Sequence, residues 1–326
     1  MPARTTAQPP TTQIAFASSS PAQTTTDALV LAVPPGVDGD TAWQGPLAEV
    51  DATLDGALRQ ALREARFDGK VGSTLVVPTL GRLPAKRIVA TGLPESGASA
   101  TDVRRAYGAA VTAASKSGAK TVASPPPGGP DDEAARYRAA VEGILLAGYD
   151  FRGYKASRGE DEGLTSWTFL ASESDATHKG VSEGHAVASG VYFARDLVAE
   201  PGQAIYPETL AAAARQMATD NELEYREYDE KQLAERGATA IVDVGKGSAH
   251  PPRMMHLTYK PSGESKGTIA LVVKGITFDT GGMNLKPKGG IESMKTDMAG
   301  SAAVAPGPSP RRTAGTAGEA CAAAAR

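Results

Sequence analysis

One cysteine, four histidines and two tryptophans are all that 326 residues carry of these types. The single Cys321 excludes an internal disulfide framework and suits a reducing compartment. The histidines (His178, His185, His250 and His256) are scattered and form no H-E-x-x-H, which excludes a metallopeptidase centre of that kind. No charge sign dominates: 34 Lys and Arg face 37 Asp and Glu, for a net charge of −3. This balance offers no electrostatic reason to expect nucleic acid or an anionic membrane as partner. No apolar run approaches the roughly 20 residues needed to span a bilayer, and the start, MPARTTAQPPTTQ, lacks a signal peptide's apolar segment. A cytoplasmic protein is expected. Phosphate fingerprints are missing too: the first strand-to-helix turn has no G-x-G-x-x-G, and no G-x-x-x-x-G-K-[ST] occurs.

Apolar residues at 41% and charged ones at 22% fit a globular chain, and the length predicts roughly two domains. Residues 1–26, rich in Thr, Ser, Pro and Gln, have little to bury and are expected to be disordered. A first domain over 27–172 opens with the apolar run at 28–33, stopped by Pro34 and Pro35. Further strands are predicted at 74–78, 87–92, 120–123 and 166–170, with helices over 47–66, from Asp102 as N-cap to 117, and over 131–149. That alternation predicts an α/β layer structure with a largely parallel sheet. Polar stretches at 152–165 and 172–183 mark the boundary of a second domain over 173–305. There, helices are predicted at 185–198, from Pro207 onward and at 231–236, and strands at 240–244, 254–259 and 269–273. Residues 306–326 show neither a strand pattern nor an apolar stripe.

The chemistry is expected after the last strand. The run at 269–273 reads as a strand buried on both faces. Lys274, Asp279, Lys286, Lys288, Lys295 and Asp297 follow it, interleaved with six glycines. Charges of both signs beside a buried strand are costly unless they bind each other, a metal or a substrate. Asp279 lies five residues after Lys274, and Asp297 eighteen further on. Carboxylate oxygens suit hard and borderline divalent cations, and a lysine held near such cations loses its proton and becomes a ligand. Lys286 could stay charged and polarise a carbonyl. Spacing alone leaves three readings open: a two-metal hydrolytic centre, a phosphate cradle at 286–290, and plain turn structure.

The segments K-G-I-T-F-D-T-G-G at 274–282, L-K-P at 285–287 and M-K-T-D-M-A-G-S-A at 294–302 resemble the leucyl (cytosol) aminopeptidase family of two-metal exopeptidases. Upstream, A-R-D-L-V-A-E-P at 194–201 is similar to the family's R-D-L-V-N-x-P, with Ala199 where Asn is usual, and 245–253 is similar to its G-x-G-S-x-x-P-P-R. The resemblance implies a macro-like N-terminal α/β domain followed by an α/β metallopeptidase catalytic domain. Lys274 and Asp297 would bind the more exchangeable metal, Asp279 would bridge both ions, and Lys286 would help polarise the scissile carbonyl. The two divalent ions, manganese or zinc, would hold the free α-amine of a peptide, preferably one with a leucine-like first residue, and activate a bridging water. Family members are hexamers, and some bind DNA, a role the acidic balance here disfavours.

The family's N-T-D-A-E-G-R motif supplies an Asp and a Glu to the metals and an Arg to a bicarbonate base. It does not occur in this sequence. The resemblance therefore implies an incomplete catalytic domain with impaired or no activity, and the change in composition after Val304 points to a frameshifted tail. Two alternatives stand beside it: a non-catalytic binding or regulatory member of the same fold, and a nucleotide-binding enzyme using the Lys/Gly loop.

Overall fold

The computed structural model describes residues 10–36, 43–151, 154, 163–260, 267–282, 285–304 and 317–324. Expectations for residues 1–9, for most of the charged stretch at 152–162 and for 306–316 lie outside them. The chain divides into two compact units, Pro10–Ala188 and one built mainly from Ser189–Arg326.

The first unit is built on a six-stranded sheet. Its strands are β1 (Gln13–Phe16), β2 (Ala28–Val33), β3 (Thr74–Pro78), β4 (Arg87–Gly92), β5 (Thr121–Ser124) and β6 (Ser166–Phe169), in the order β1-β6-β5-β2-β4-β3. Every neighbouring pair is parallel except β3 with β4, in line with the predicted largely parallel α/β sheet. Alternation along β2 explains the layers. Ala28 and Val30 join α3 (Ala100–Lys116) and α4 (Glu133–Ala147) on one face, whereas Leu29, Leu31 and Val33 join α1 (Gly45–Thr53) and α2 (Ala57–Glu64) on the other. Helices on both faces are what a parallel sheet with continuous apolar strands requires.

Two local expectations change here. Composition alone predicts disorder through residue 26, yet Gln13–Phe16 pairs in parallel with Ser166–Phe169, and Phe16 packs among Tyr137 and Phe169. A lone four-residue strand gives no signal until its partner is known. The N-cap of α3 is Ser99, not Asp102: Asp102 N–H donates to Ser99 Oγ at 3.2 Å, and Ser99 N–H donates to Asp102 Oδ2 at 3.0 Å. This is a reciprocal capping box, with the carboxylate in the first turn.

The second unit carries a four-stranded sheet of β7 (Glu224–Tyr228), β8 (Arg253–Tyr259), β9 (Thr268–Lys274) and β10 (Ala317–Ala324), in the order β7-β8-β10-β9. The C-terminal part of α5 (Asp175–Ala199), α6 (Pro207–Asp220) and α9 (Ala299–Val304) supply its core, where Phe193, Leu197, Leu210 and Met217 meet Met255, Leu257, Met298 and Ala302. Pro207 opens α6 as expected.

Three differences belong to this unit. Residues expected as a strand at 240–244 form helix α8 (Thr239–Gly245). A five-residue apolar run is ambiguous, and Gly237, at φ 72°, turns the chain directly out of α7 (Glu230–Glu235) into a second short helix. Secondly, β9 is an edge strand and is not buried on both faces. α9 packs at Val273 and Lys274, while Ile269, Leu271 and Val272 remain 51–78% exposed. Thirdly, residues 317–324, where no strand pattern is readable, pair antiparallel with β8 and parallel with β9. Alanine carries no alternation signal, but β8 and β9 each offer an open row of backbone donors and acceptors, and any proline-free segment can complete it.

Candidate metal centre

β9 ends at Lys274, and its chain continues into a glycine-rich turn. Asp279 anchors that turn: its Oδ1 accepts from Gly281 N–H at 2.8 Å in an Asx turn, and Gly281 (76°) and Gly282 (85°) then take the positive φ that glycine adopts readily. Lys286 N–H closes the loop on Thr280 O at 3.1 Å. Its stem then lies against Gly281, where a methyl group would crowd it, and its Nζ stands 3.3 Å from Asp279 Oδ2.

The chain next forms a 3₁₀ turn (Glu292–Thr296) that delivers Asp297 to the start of α9. Lys274 Nζ lies 2.7 Å from Asp297 Oδ2. That oxygen is sealed from solvent and is approached off the hydrogen-bonding direction, so the contact is an ion pair with no directed bond. Close packing fixes the pair. Gly300 at the head of α9 sits against Lys274 O, and Met298 beside Asp297 is fully buried.

The two ion pairs are one electrostatic group. The Asp279 carboxyl is held below its ordinary value, first by the Gly281 amide, then by Lys286 and Lys274, against opposing desolvation. Lys274 therefore acts on both carboxylates, and each aspartate has a lysine of its own. All four residues singled out in the sequence (Lys274, Asp279, Lys286 and Asp297) come together at the C-terminal end of β9.

Asp279 and Asp297 are acceptors only, and Asp297 keeps one sealed oxygen without a directed hydrogen bond. With a deprotonated Lys274 they form an oxygen and nitrogen donor set that fits a borderline divalent cation. It is a partial set: among the described residues no group of three or more His, Cys, Asp and Glu could hold a metal.

Sequence reasoning did not find the role of Lys295. Its Nζ donates to Val198 O at 2.7 Å, Ala199 O at 2.9 Å and Glu200 O at 3.0 Å, the last carbonyls of α5 and the residue that follows. Burial lowers the Lys295 pKa, and the nearby buried Glu200 partly offsets this. Backbone carbonyls have no residue signature, so nothing in the sequence could show this contact. His250, read as an ordinary loop residue, stacks on Tyr206 with ring centroids 4.0 Å apart.

The family models for the cytosol aminopeptidase family match in two places, the N-terminal domain over residues 30–158 and the catalytic domain over 192–307. These α/β units and the lysine–aspartate cluster thus fall within a peptidase class. The chain belongs to the cytosol aminopeptidase family. It is 38% identical over 260 residues to the "Probable cytosol aminopeptidase" of Geobacter sp. (strain M21), covering 78% of this chain and 53% of that protein. The Aquifex aeolicus (strain VF5) protein of the same name is 39% identical, covering 79% and 52%. Among solved structures, a tomato leucine aminopeptidase variant superimposes with a TM-score of 0.81 at 25% identity, covering all of this chain and 65% of its own. The bottromycin maturation enzyme BotP in complex with Mn gives 0.72 at 30% identity, covering 92% and 59%. The chain spans about half the length of the curated relatives it matches.

Proposed function

We propose that this chain carries part of a metal-dependent aminopeptidase centre in which Lys274, Asp279 and Asp297 hold divalent cations and Lys286 faces the substrate carbonyl. The observation that carries this reading is the convergence of two lysine–aspartate pairs at the end of β9, with Lys274 acting on both carboxylates. Manganese or zinc, when bound, would polarise the peptide carbonyl and supply a nucleophilic water. Lys286, fixed by the Thr280–Lys286 turn, offers an ammonium that can steady developing negative charge on the carbonyl oxygen. The Asx turn at Asp279 holds one carboxylate oxygen on Gly281 and leaves the other facing Lys286.

The substrates of this reading are peptides with a free N-terminus and a leucine-like first residue, met in the cytoplasm by a homo-oligomer, a hexamer as in the family. The names of the relatives and the Mn complex of BotP support it. In keeping with the helix lengths, no described helix is long and apolar enough to cross a membrane. The domain division proposed is 27–172 and 173–305. The bicarbonate-binding arginine of the family belongs to the N-T-D-A-E-G-R motif, which does not occur in this sequence. With two carboxylates and one amine as the donors among the described residues, the ions are under-ligated there, so little turnover is expected.

A second reading, a non-catalytic binding or regulatory member of the fold, is favoured by the same short donor set. Thermal melts with manganese and zinc, followed by leucine p-nitroanilide hydrolysis, separate the two. Stabilisation by the metals that is lost in Asp279→Asn and Asp297→Asn, with weak turnover, supports the metal centre. Melts unmoved by either ion overturn it, and metal-dependent turnover at ordinary enzyme rates overturns the impairment.

A further inference from the structure

We infer that Lys295 is a positioning residue for the metal centre: its ammonium ties the turn that bears Asp297, and through it Asp279, to the end of α5. The inference rests on the metal-centre reading for its functional meaning and on geometry for its mechanism.

The geometry is a tripod. A lysine ammonium has three N–H donors, and all three are spent here, on Val198 O, Ala199 O and Glu200 O at 2.7–3.0 Å. The last carbonyls of a helix have no partner within the helix, and its C-terminal end favours a cation. Lys295 meets both needs from 95–97 residues away in sequence. Its own backbone lies in the 3₁₀ turn Glu292–Thr296, next to Asp297, which caps that turn by donating its N–H to Met294 O at 3.3 Å. Asp279 N–H reaches the same Met294 O at 3.4 Å. Both aspartates thus hang on one carbonyl, and the residue following that carbonyl is pinned to α5.

The other contacts hold parts of the segment. The Asx turn fixes Asp279 relative to Gly281 only, and the exposed edge strand β9 holds Lys274 from one side. Phe278 adds a ring contact at Gly202, just beyond the end of α5. Without the tripod, the turn would rest on its two long hydrogen bonds to Met294 O and on the packing of Met298 and Gly300 at the head of α9. Arginine would keep the charge, but a planar fork cannot present three donors to three converging carbonyls.

The test uses the full chain as wild type, Lys295→Met and Lys295→Arg. Hydrogen–deuterium exchange in metal-free protein reads the tether: amides across 276–298 are expected to exchange about tenfold faster or more in both variants, with α6 and β8 unchanged. Manganese affinity, read by the electron spin resonance of the free ion, is expected to fall about 10- to 100-fold. Exchange at 276–298 equal to wild type overturns the inference, as does unchanged affinity despite faster exchange. Global unfolding of both variants also overturns it, because Lys295 would then support the unit as a whole. If wild type binds no manganese, the metal-centre reading falls, while the exchange result still decides whether Lys295 holds the turn.

Discussion

Asp27 shows how one side chain can start two strands. Its Oδ2 accepts from the N–H groups of Lys120 (2.9 Å) and Thr121 (3.0 Å) at the head of β5, while Oδ1 meets Lys86 Nζ at 2.7 Å just before β4. The Lys86 contact, and then the two amides, push the carboxyl well below the usual aspartate range, against the opposing effect of burial. A depressed folded-state pKa means that the stabilisation is complete above the unfolded value of about 4 and drains away as pH falls toward the folded one. Asp27→Asn should cost about 1–2 kcal/mol at neutral pH. Urea midpoints measured from pH 6 to pH 2 should converge for the two proteins, because only wild type has this contribution to lose. Parallel midpoints across the range would contradict the assignment. The residues of the proposed metal centre belong to the same scale. Lys274, Asp279, Lys286 and Asp297 were readable because charge beside a buried-looking strand, set among glycines, is rare. Lys295 was not readable, since its partners are carbonyls that every residue has.

Among elements, α3 and α4 pack closely against each other in the first unit. Gly143 of α4 lies directly on the Arg104 backbone of α3, so an added methyl would overlap the Arg104 carbonyl. Beside it, the buried Glu142 takes Arg104 Nε at 2.6 Å and Arg138 Nε at 2.9 Å. Gly143→Ala must push the helices apart or unpack that ion cluster, and should cost about 1–3 kcal/mol. Chemical denaturation will show it as a lower midpoint with unchanged slope. The long helices and β2 were legible because their apolar runs are long or end at proline. Among the short elements, β3, β5, β6 and α7 were read close to their bounds, whereas α8, β7, β1 and β10 were not. The residues of α8 have the composition of a strand, β7 (EYREY) hides its alternation among charges, and β1 and β10 exist only by virtue of partners far along the chain. β9 misled in the opposite way, since an apolar run reports what a strand can bury and not what covers it.

For the whole molecule, that same edge strand governs behaviour in solution. Ile269, Leu271 and Val272 are exposed on the outermost strand of the second sheet among the described residues, and no charge or proline precedes Lys274 at its end to blunt that edge. Concentration-dependent association is expected, and Val272→Lys, 78% exposed in the native strand, should reduce it at little cost in stability. Sedimentation velocity at several loading concentrations tests this. Equal association of the two proteins would remove β9 as the cause.

Strand β1 has a consequence for how the polypeptide is made. Gln13–Phe16 leaves the ribosome early, but its sheet neighbour, Ser166–Phe169, follows some 150 residues later, and no other strand pairs with it among the described residues. At about 5–20 residues per second, this first segment waits several seconds to tens of seconds for its place. Gln13–Phe16 therefore settles late, and a nascent chain stalled before Ser166 should show this segment open to protease.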